Sequence, residues 1–403
     1  MKEKTKNNIF KSHLNETKIF SNKKVLQSNY FPEEVFHREN EINTIADILS
    51  PALNLDKPSN IFIYGKTGTG KTLTVKHTTD QLVEIAAEEK ISLKVIYINC
   101  KLKKVADTEY RLLASLIQNL GEEVPTTGLP TDKIYDIFYK LIDKKECIYI
   151  IVLDEIDQLV KKVGDELLYN LTRINSELKK AQITLVGIAN DLTFTNLLDA
   201  RVKSSLSEEE ILFDPYNAVQ IKTILKDRVD KGFLEDSVPQ GVIAKCAAFA
   251  AREHGDVRRA IELLRIAGEL AQRNKKDKVG IEDLDEARDK IDKDNVFEAI
   301  KVQPKQQQAV IYAIIKNKME KKQEKQQTGQ IYGMYSEIVK IFSIRPLTQR
   351  RISDIISELD TLGLINQRVV SKGRYGRSTE ISINFPDSYL LKIKEHIDDS
   401  IKN

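Results

Sequence analysis

From about residue 40 to 190 the chain alternates short β-branched runs with amphipathic stretches. Positions 61–64, 93–98, 148–153 and 183–188 are apolar runs of strand length, and the segments between them repeat apolar residues at helical spacing. A short run that is apolar on both faces suits a fully covered strand. Its alternation with helices predicts a parallel sheet with crossover helices. After Pro215 such runs cease. Ala218, Val219, Ile221, Ile224, Leu225 and Val229 fall at helical intervals, and 243–251, 257–271 and 284–291 continue the pattern. An all-helical unit over 215–293 follows. A new segment opens near Lys301 to Pro304, and the Lys/Gln-rich stretch 316–330 has the composition of a loop or a frayed helix end. Residues 1–24 have no hydrophobic period and predict a flexible arm.

The last hundred residues have their own pattern. Thr348 is placed to cap a helix whose apolar face is Ile352, Ile355, Ile356, Leu359 and Leu362. The opposite face offers Gln349, Arg350, Ser353 and Ser357, side-chain types that bond phosphates and base edges. With a helix over 335–342 before it, the pair reads as a helix-turn-helix. An alternating strand over 364–370 and a second over 379–383 then flank Ser371, Lys372, Gly373, Arg374, Tyr375, Gly376 and Arg377. That is a hairpin with a cationic tip. Arg374 and Arg377 suit a narrow minor groove or phosphates, and Tyr375 suits a sugar face. A hairpin whose charges only keep an edge soluble has the same pattern.

Composition narrows the classes. At about 150 residues per domain, 403 residues make two or three domains. With 31% charged and 41% hydrophobic residues the chain reads as folded and soluble. No apolar run reaches the roughly 18 residues that span a bilayer, and no signal-type apolar segment follows the basic N-terminus, so a cytoplasmic protein is expected. Cys100, Cys147 and Cys246 have neither disulfide-framework nor metal-site spacing and read as buried small hydrophobes. The net charge of +3 hides an asymmetry. Residues 301–403 hold 18 Lys and Arg against 11 Asp and Glu, a net of +7, and the first 300 hold 45 against 49, a net of −4. A basic module on a mildly acidic body is the footprint of a separate polyanion-binding domain.

The most specific chemistry lies at Gly65, Lys66, Thr67, Gly68, Thr69, Gly70, Lys71 and Thr72, a complete phosphate-binding loop between a predicted strand and a predicted helix. Its glycines let backbone N–H groups wrap a phosphate, and the helix N-terminus adds its positive end. Lys71 then reaches the β- and γ-phosphates of ATP, or the β-phosphate of ADP, and the Thr72 hydroxyl ligates Mg²⁺. The apolar run ending in Asp154 and Glu155 is the complement. Asp154 would hold the metal, and Glu155 would orient an attacking water.

Further residues resemble the AAA+ family. Asn190, after the run 183–188, matches its sensor-1 asparagine. Leu198 to Leu206 resembles the box whose arginine, here Arg201, reaches a neighbouring subunit. Gly255, Asp256, Val257, Arg258, Arg259 and Ala260 look like sensor 2, with Arg258 directed at the γ-phosphate. Taken singly, each also fits a structural role: a strand cap for Asn190, a surface ion pair for Arg201 and a helix salt bridge for Arg258. Their order behind a complete phosphate loop favours the catalytic set.

The stretch from Phe31 to Glu39 resembles the adenine-side box of archaeal origin-recognition initiators, relatives of the eukaryotic origin recognition complex and its partner helicase loader. Val35 and Arg38 are the matching positions, while His37 also fits an ordinary exposed imidazole. Phe213 to Tyr216, followed by Ile224 to Arg228, is similar to that family's core–lid junction, where the residues matching Tyr216 and Arg228 line the nucleotide pocket. The tip Gly373 to Arg377 matches its wing. The resemblance runs from about Asn29 to Asn384. One departure is the candidate core insertion, 121–133, which is poor in cations where relatives touch DNA.

The resemblance implies an α/β RecA-like AAA+ core with a parallel sheet, a helical lid and a C-terminal winged helix. The expected domains are an arm over 1–24, an ATPase core over 25–214, a lid over 215–297 and a winged helix over 298–403. It implies a slow ATPase switch that recognises duplex DNA at a replication origin and promotes loading of a replicative helicase, with other initiator copies as further partners and no membrane. Two alternatives stay open: a paralogue regulating transcription or replication, and a hexameric DNA-translocating ATPase, which the absent pore-loop signature disfavours.

Overall fold

The structure is a computed structural model that describes residues 19–101, 107–125, 128–191, 193–194, 198–371, 377–383 and 385–402. They fall into two compact units, the first reaching Ala287 and the second starting at Arg288.

The first unit is built on five parallel strands, β1 (Ile61–Gly65), β2 (Leu93–Asn99), β3 (Cys147–Asp154), β4 (Ala181–Ala189) and β5 (Glu209–Phe213), in the order β2-β3-β4-β1-β5. Helices α1 (Glu39–Leu49), α2 (Lys71–Glu88), α3 (Glu109–Leu120), α4 (Thr131–Ile142), α5 (Ile156–Val163), α6 (Glu166–Arg173) and α7 (Ala200–Leu206) accompany them. Every residue of β3 is buried, because side chains of opposite parity enter two different cores. Tyr149, Ile151 and Leu153 pack with α3 to α6, and Ile148, Ile150 and Val152 pack with α1 and α2. That explains its unbroken apolar run. The predicted strands all form. β5 is an addition: Ile211 and Phe213 are buried while Leu212 is exposed, so this edge strand has only two buried apolar positions.

Register sets the functional edge. Tyr64 pairs with Ala189 across β1 and β4, and Asp154 pairs with Ile188 across β3 and β4. Gly65, Asp154 and Asn190 therefore emerge at the same C-terminal edge, where parallel sheets place ligands.

The lid follows with α8 (Ala218–Gly232), α9 (Gln240–Arg252) and α10 (Val257–Arg273). Asn217 and Gln220 form a capping box at the start of α8, and the Asp256 side chain accepts the backbone N–H groups of Arg258 and Arg259 at the start of α10. The arm is ordered earlier than its lack of periodicity suggested. Ile19 is buried, Ser21 and Asn22 donate to the Gly232 carbonyl, and the Phe20 and Phe233 rings lie 4.7 Å apart, while Val25 and Leu26 just beyond the arm are buried too. Residues 1–18 lie outside the described chain.

After α11 (Ile281–Lys301) the second unit contains α12 (Lys305–Lys321), α13 (Thr328–Ile341), α14 (Gln349–Thr361) and α15 (Asp387–Lys402). Its three-stranded sheet orders β6 (Gln326–Gln327), β8 (Arg377–Ser382) and β7 (Asn366–Ser371) antiparallel. The stretch 316–330 is thus mostly regular structure rather than a loop. Ile352, Ile355, Ile356 and Leu359 are buried as the spacing predicts, but Leu362 is exposed at the end of α14. Tyr335 is fully buried, and its hydroxyl donates to Gln306 (2.6 Å) and accepts the Leu347 N–H (3.1 Å). That fixes the turn leading into α14.

Candidate functional site

Gly65 ends β1 and Lys71 begins α2, so the phosphate loop is the strand-to-helix connection itself. Gly68 and Gly70 take φ of +76° and +91°, which side chains disfavour. A Cβ on Gly68 would lie 1.9 Å from Asp256 Oδ1 and one on Gly70 2.7 Å from the Tyr216 hydroxyl. The loop is therefore packed tightly against the lid, and Val257 N–H donates to the Gly68 carbonyl. Thr69 is buried and its hydroxyl donates to the Lys66 carbonyl.

A cavity of about 370 Å³ lies above this loop. Gly68, Thr69, Gly70, Lys71 and Thr72 form its floor, Asp154, Glu155 and Asn190 its strand edge, and Arg258 its lid side. The cavity brings together residues more than 180 positions apart in the chain. Lys71 is 5% exposed and donates to the Gly65 and Lys66 carbonyls. Burial pushes its ammonium down to about 8, against the opposing pull of Asp154. Thr72 Oγ1 donates to Asp154 Oδ2 at 2.9 Å. Glu155 sits at φ +54°, an uncommon backbone region that concentrates at active sites, and Lys101 lies 3.5 Å from its carboxylate. The Asn190 backbone N–H reaches Asp157 Oδ1 at 3.4 Å.

On the other side of the loop, Arg38 is buried and committed to the protein. Its Nε donates to the Thr69 carbonyl (3.0 Å) and Nη2 to the Asp214 carbonyl (2.5 Å), while its guanidinium carbon lies 4.1 Å from the Tyr216 ring centroid. Val35 and Tyr216 are buried, and burial pushes the Tyr216 phenol up despite Arg38 beside it. Arg228 is buried with its guanidinium carbon 4.7 Å from the Tyr30 ring centroid, and burial lowers its pKa. Among the described residues its Nε and Nη1 have no hydrogen-bond partner. Arg201 does not line the cavity. It is exposed at the start of α7, bonded to Asp199 at 3.0 Å and placed over the Tyr169 ring.

In the second unit, the Thr348 hydroxyl accepts the Arg351 N–H and caps α14. Thr348, Gln349 and Arg350 are exposed, whereas Ser353 is half-buried and returns its hydroxyl to the Gln349 carbonyl. Arg351 is engaged by Asp354 and Glu358. Lys372, Arg374 and Tyr375 lie outside the described residues, and of Arg377 only the backbone is described, at the start of β8.

Three family models match in the same order as these parts: an AAA domain over 55–193, a Cdc6 AAA+ ATPase-type lid over 222–289 and a Cdc6 C-terminal winged helix over 298–392. The chain is 48% identical over 392 residues to an ORC1-type DNA replication protein of Thermococcus kodakarensis, covering 96% of this chain and 94% of that protein. It is 50% identical over 380 residues to the one of Pyrococcus abyssi, covering 93% and 90%. The chain belongs to the ORC1-type DNA replication proteins. A solved structure of the Aeropyrum pernix ORC1 protein in complex with DNA has 40% identity and a TM-score of 0.79, covering 96% of this chain and 98% of that one.

This ORC1-type chain therefore has the AAA+ P-loop core, helical lid and winged helix, and its ATPase-type domain is a nucleotide-binding one. Sequence reasoning missed three residues of its cavity wall, Lys76, Tyr97 and Asn99. Lys76 follows Thr72 by four residues on α2, so helical periodicity from the phosphate loop was the available signal for it, whereas Tyr97 and Asn99 share a face of β2, a strand that carries no nucleotide motif.

Proposed function

We propose that this chain is an ATP-controlled replication initiator acting in the cytoplasm, which binds origin duplex DNA and promotes loading of a replicative helicase. The observation that carries this is the joining of a complete phosphate cavity to a helix-turn-helix with an exposed Gln349 and Arg350, in a family of replication proteins. The DNA-bound state of the Aeropyrum relative supports it. Thr348, Gln349, Arg350 and Ser353 meet the duplex from α14, and Lys372, Arg374, Tyr375 and Arg377 from the wing.

Donor chemistry supports Mg²⁺ with ATP or ADP. Among the described residues no group of three or more His, Cys, Asp or Glu is gathered as an all-protein metal cage. A hydroxyl and one carboxylate, Thr72 and Asp154, are what Mg²⁺ uses when phosphates and water complete its shell. Bound there, Mg²⁺ neutralises charge on the phosphate oxygens. Lys71 pairs with the phosphates, and Val35, Tyr216 and Arg228 form the base side, where two Arg228 nitrogens without a partner among the described residues are available donors. Arg38 serves by bracing Thr69 and Asp214. Glu155 takes a proton from the attacking water, Asn190 orients that water, and Arg258 ties the lid to the γ-phosphate. Arg201, exposed and away from this cavity, reaches the nucleotide of a second copy.

A reconstitution with origin-region duplex and the replicative helicase tests the reading. Helicase should be retained on DNA with ATP and wild-type protein. Glu155→Gln should bind ATP and DNA normally while hydrolysis falls about 100-fold or more. Helicase retention independent of this protein would sink the loading role, and loss of ATP binding by Glu155→Gln would sink the role given to Glu155.

A further inference from the structure

Tyr97 stands in the phosphate cavity but belongs to none of the nucleotide motifs. In the β2–β3 ladder Asn99 pairs with Asp154, and Tyr97 lies two positions back on the same face. The long phenol spans that offset, and its hydroxyl donates to Asp154 Oδ2. The same oxygen accepts from Thr72 Oγ1 at 2.9 Å, while Asp154 Oδ1 accepts the Glu155 N–H at 2.9 Å. Three donors from three segments thus fix a carboxylate whose own χ2 torsion is soft. A phenol has a hydroxyl proton to give and an ionised carboxylate only accepts, so the contact runs from Tyr97 to Asp154. A separate contact occupies the ring, where Lys76 Nζ lies 4.1 Å from the centroid.

Metal-ligating carboxylates depend on such outer partners. Loss of one typically weakens metal affinity by 10- to 100-fold because the ligand loses its orientation and some charge stabilisation. We propose that Tyr97 is a positioning residue of the magnesium–nucleotide site, holding the Asp154 carboxylate at the angle at which it and Thr72 receive the metal. The inference rests on the reading of this cavity as a magnesium–nucleotide site. In this role Tyr97 acts through Asp154 rather than as a ligand itself.

Tyr97→Phe separates its two contacts, since it keeps the ring under Lys76 and removes only the hydroxyl. The full-length protein is titrated with a fluorescent ADP analogue, once in EDTA and again across a Mg²⁺ series, with thermal melting as the folding control. The variant should bind the analogue within about twofold of wild type in EDTA, and its Mg²⁺ midpoint should rise about tenfold. Combined with Asp154→Ala, it should add nothing further, because Tyr97 would have no carboxylate to hold. An unchanged Mg²⁺ midpoint overturns the proposal, as does a loss of equal size in EDTA and in Mg²⁺. If wild type itself fails to bind the analogue, or binds it without responding to Mg²⁺, the magnesium–nucleotide reading falls first and the proposal with it.

Discussion

The cavity at the sheet edge and the exposed face of α14 are both read here as meeting phosphate, yet they are built in opposite ways. In the cavity, Lys71 is 5% exposed, Thr69 is fully buried, and the loop is locked by Arg38, Asp256 and Tyr216. On α14, Gln349 and Arg350 stand in solvent on one capped helix. A buried group is poorly screened, so each partner removed there has a large effect. Exposed groups act additively and weaken with salt. The cavity should therefore fail abruptly under single substitutions, and the helix face should lose strength in steps.

The contrast is broken most severely at Lys71. Lys71→Ala should reduce affinity for a fluorescent ADP analogue by about 100-fold, since a buried charge-assisted pairing is lost. A loss of only a fewfold would mean that the backbone cradle alone holds the phosphates. A smaller effect should appear with pH. Burial holds Lys71 down at about 8, with Asp154, Asp157, Asp256 and Arg258 as its charged neighbours. Its charge is present below that value and lost above it. In EDTA, affinity should be flat from pH 6 to 7 and fall about tenfold by pH 9, with proton uptake on binding in that upper range. A flat profile to pH 9 would place the titration elsewhere.

What could be read from the sequence follows the same divide between dense and sparse signals. β1 with its glycine loop, and β3 ending in Asp154 and Glu155, were legible because an apolar run and a motif coincide. β5 was not, since Ile211 and Phe213 are too few to make a period. The stretch 316–330 was misread because its buried positions are polar. Asn317 is fully buried and donates to the Gln330 carbonyl, and Gln326 is buried and donates to the Ile314 carbonyl. Composition counted them as solvent-facing. In the arm and just beyond it, Ile19, Phe20, Val25 and Leu26 are two pairs without a repeat, and only the lid surface explains their burial or packing. Among site residues, Lys71, Thr72, Asp154, Glu155, Asn190 and Arg258 were named from motifs and do meet in one cavity. The bracing by Arg38 and the contact of Tyr97 with Asp154 depend on packing across the sheet edge, which no local pattern encodes.

The most direct test of the account is fluorescence-anisotropy binding of the whole protein to duplexes tiled across the region upstream of its own gene. It is run as a salt titration and repeated with Gln349→Ala/Arg350→Ala and with Arg374→Ala/Arg377→Ala. A tight site with a steep salt dependence is expected. Each removed phosphate contact should lower the slope by about one, and loss of the α14 pair should relax the preference for that site. Weak, uniform binding that neither double variant alters would contradict it, leaving a nucleotide-binding core whose second unit does not read DNA.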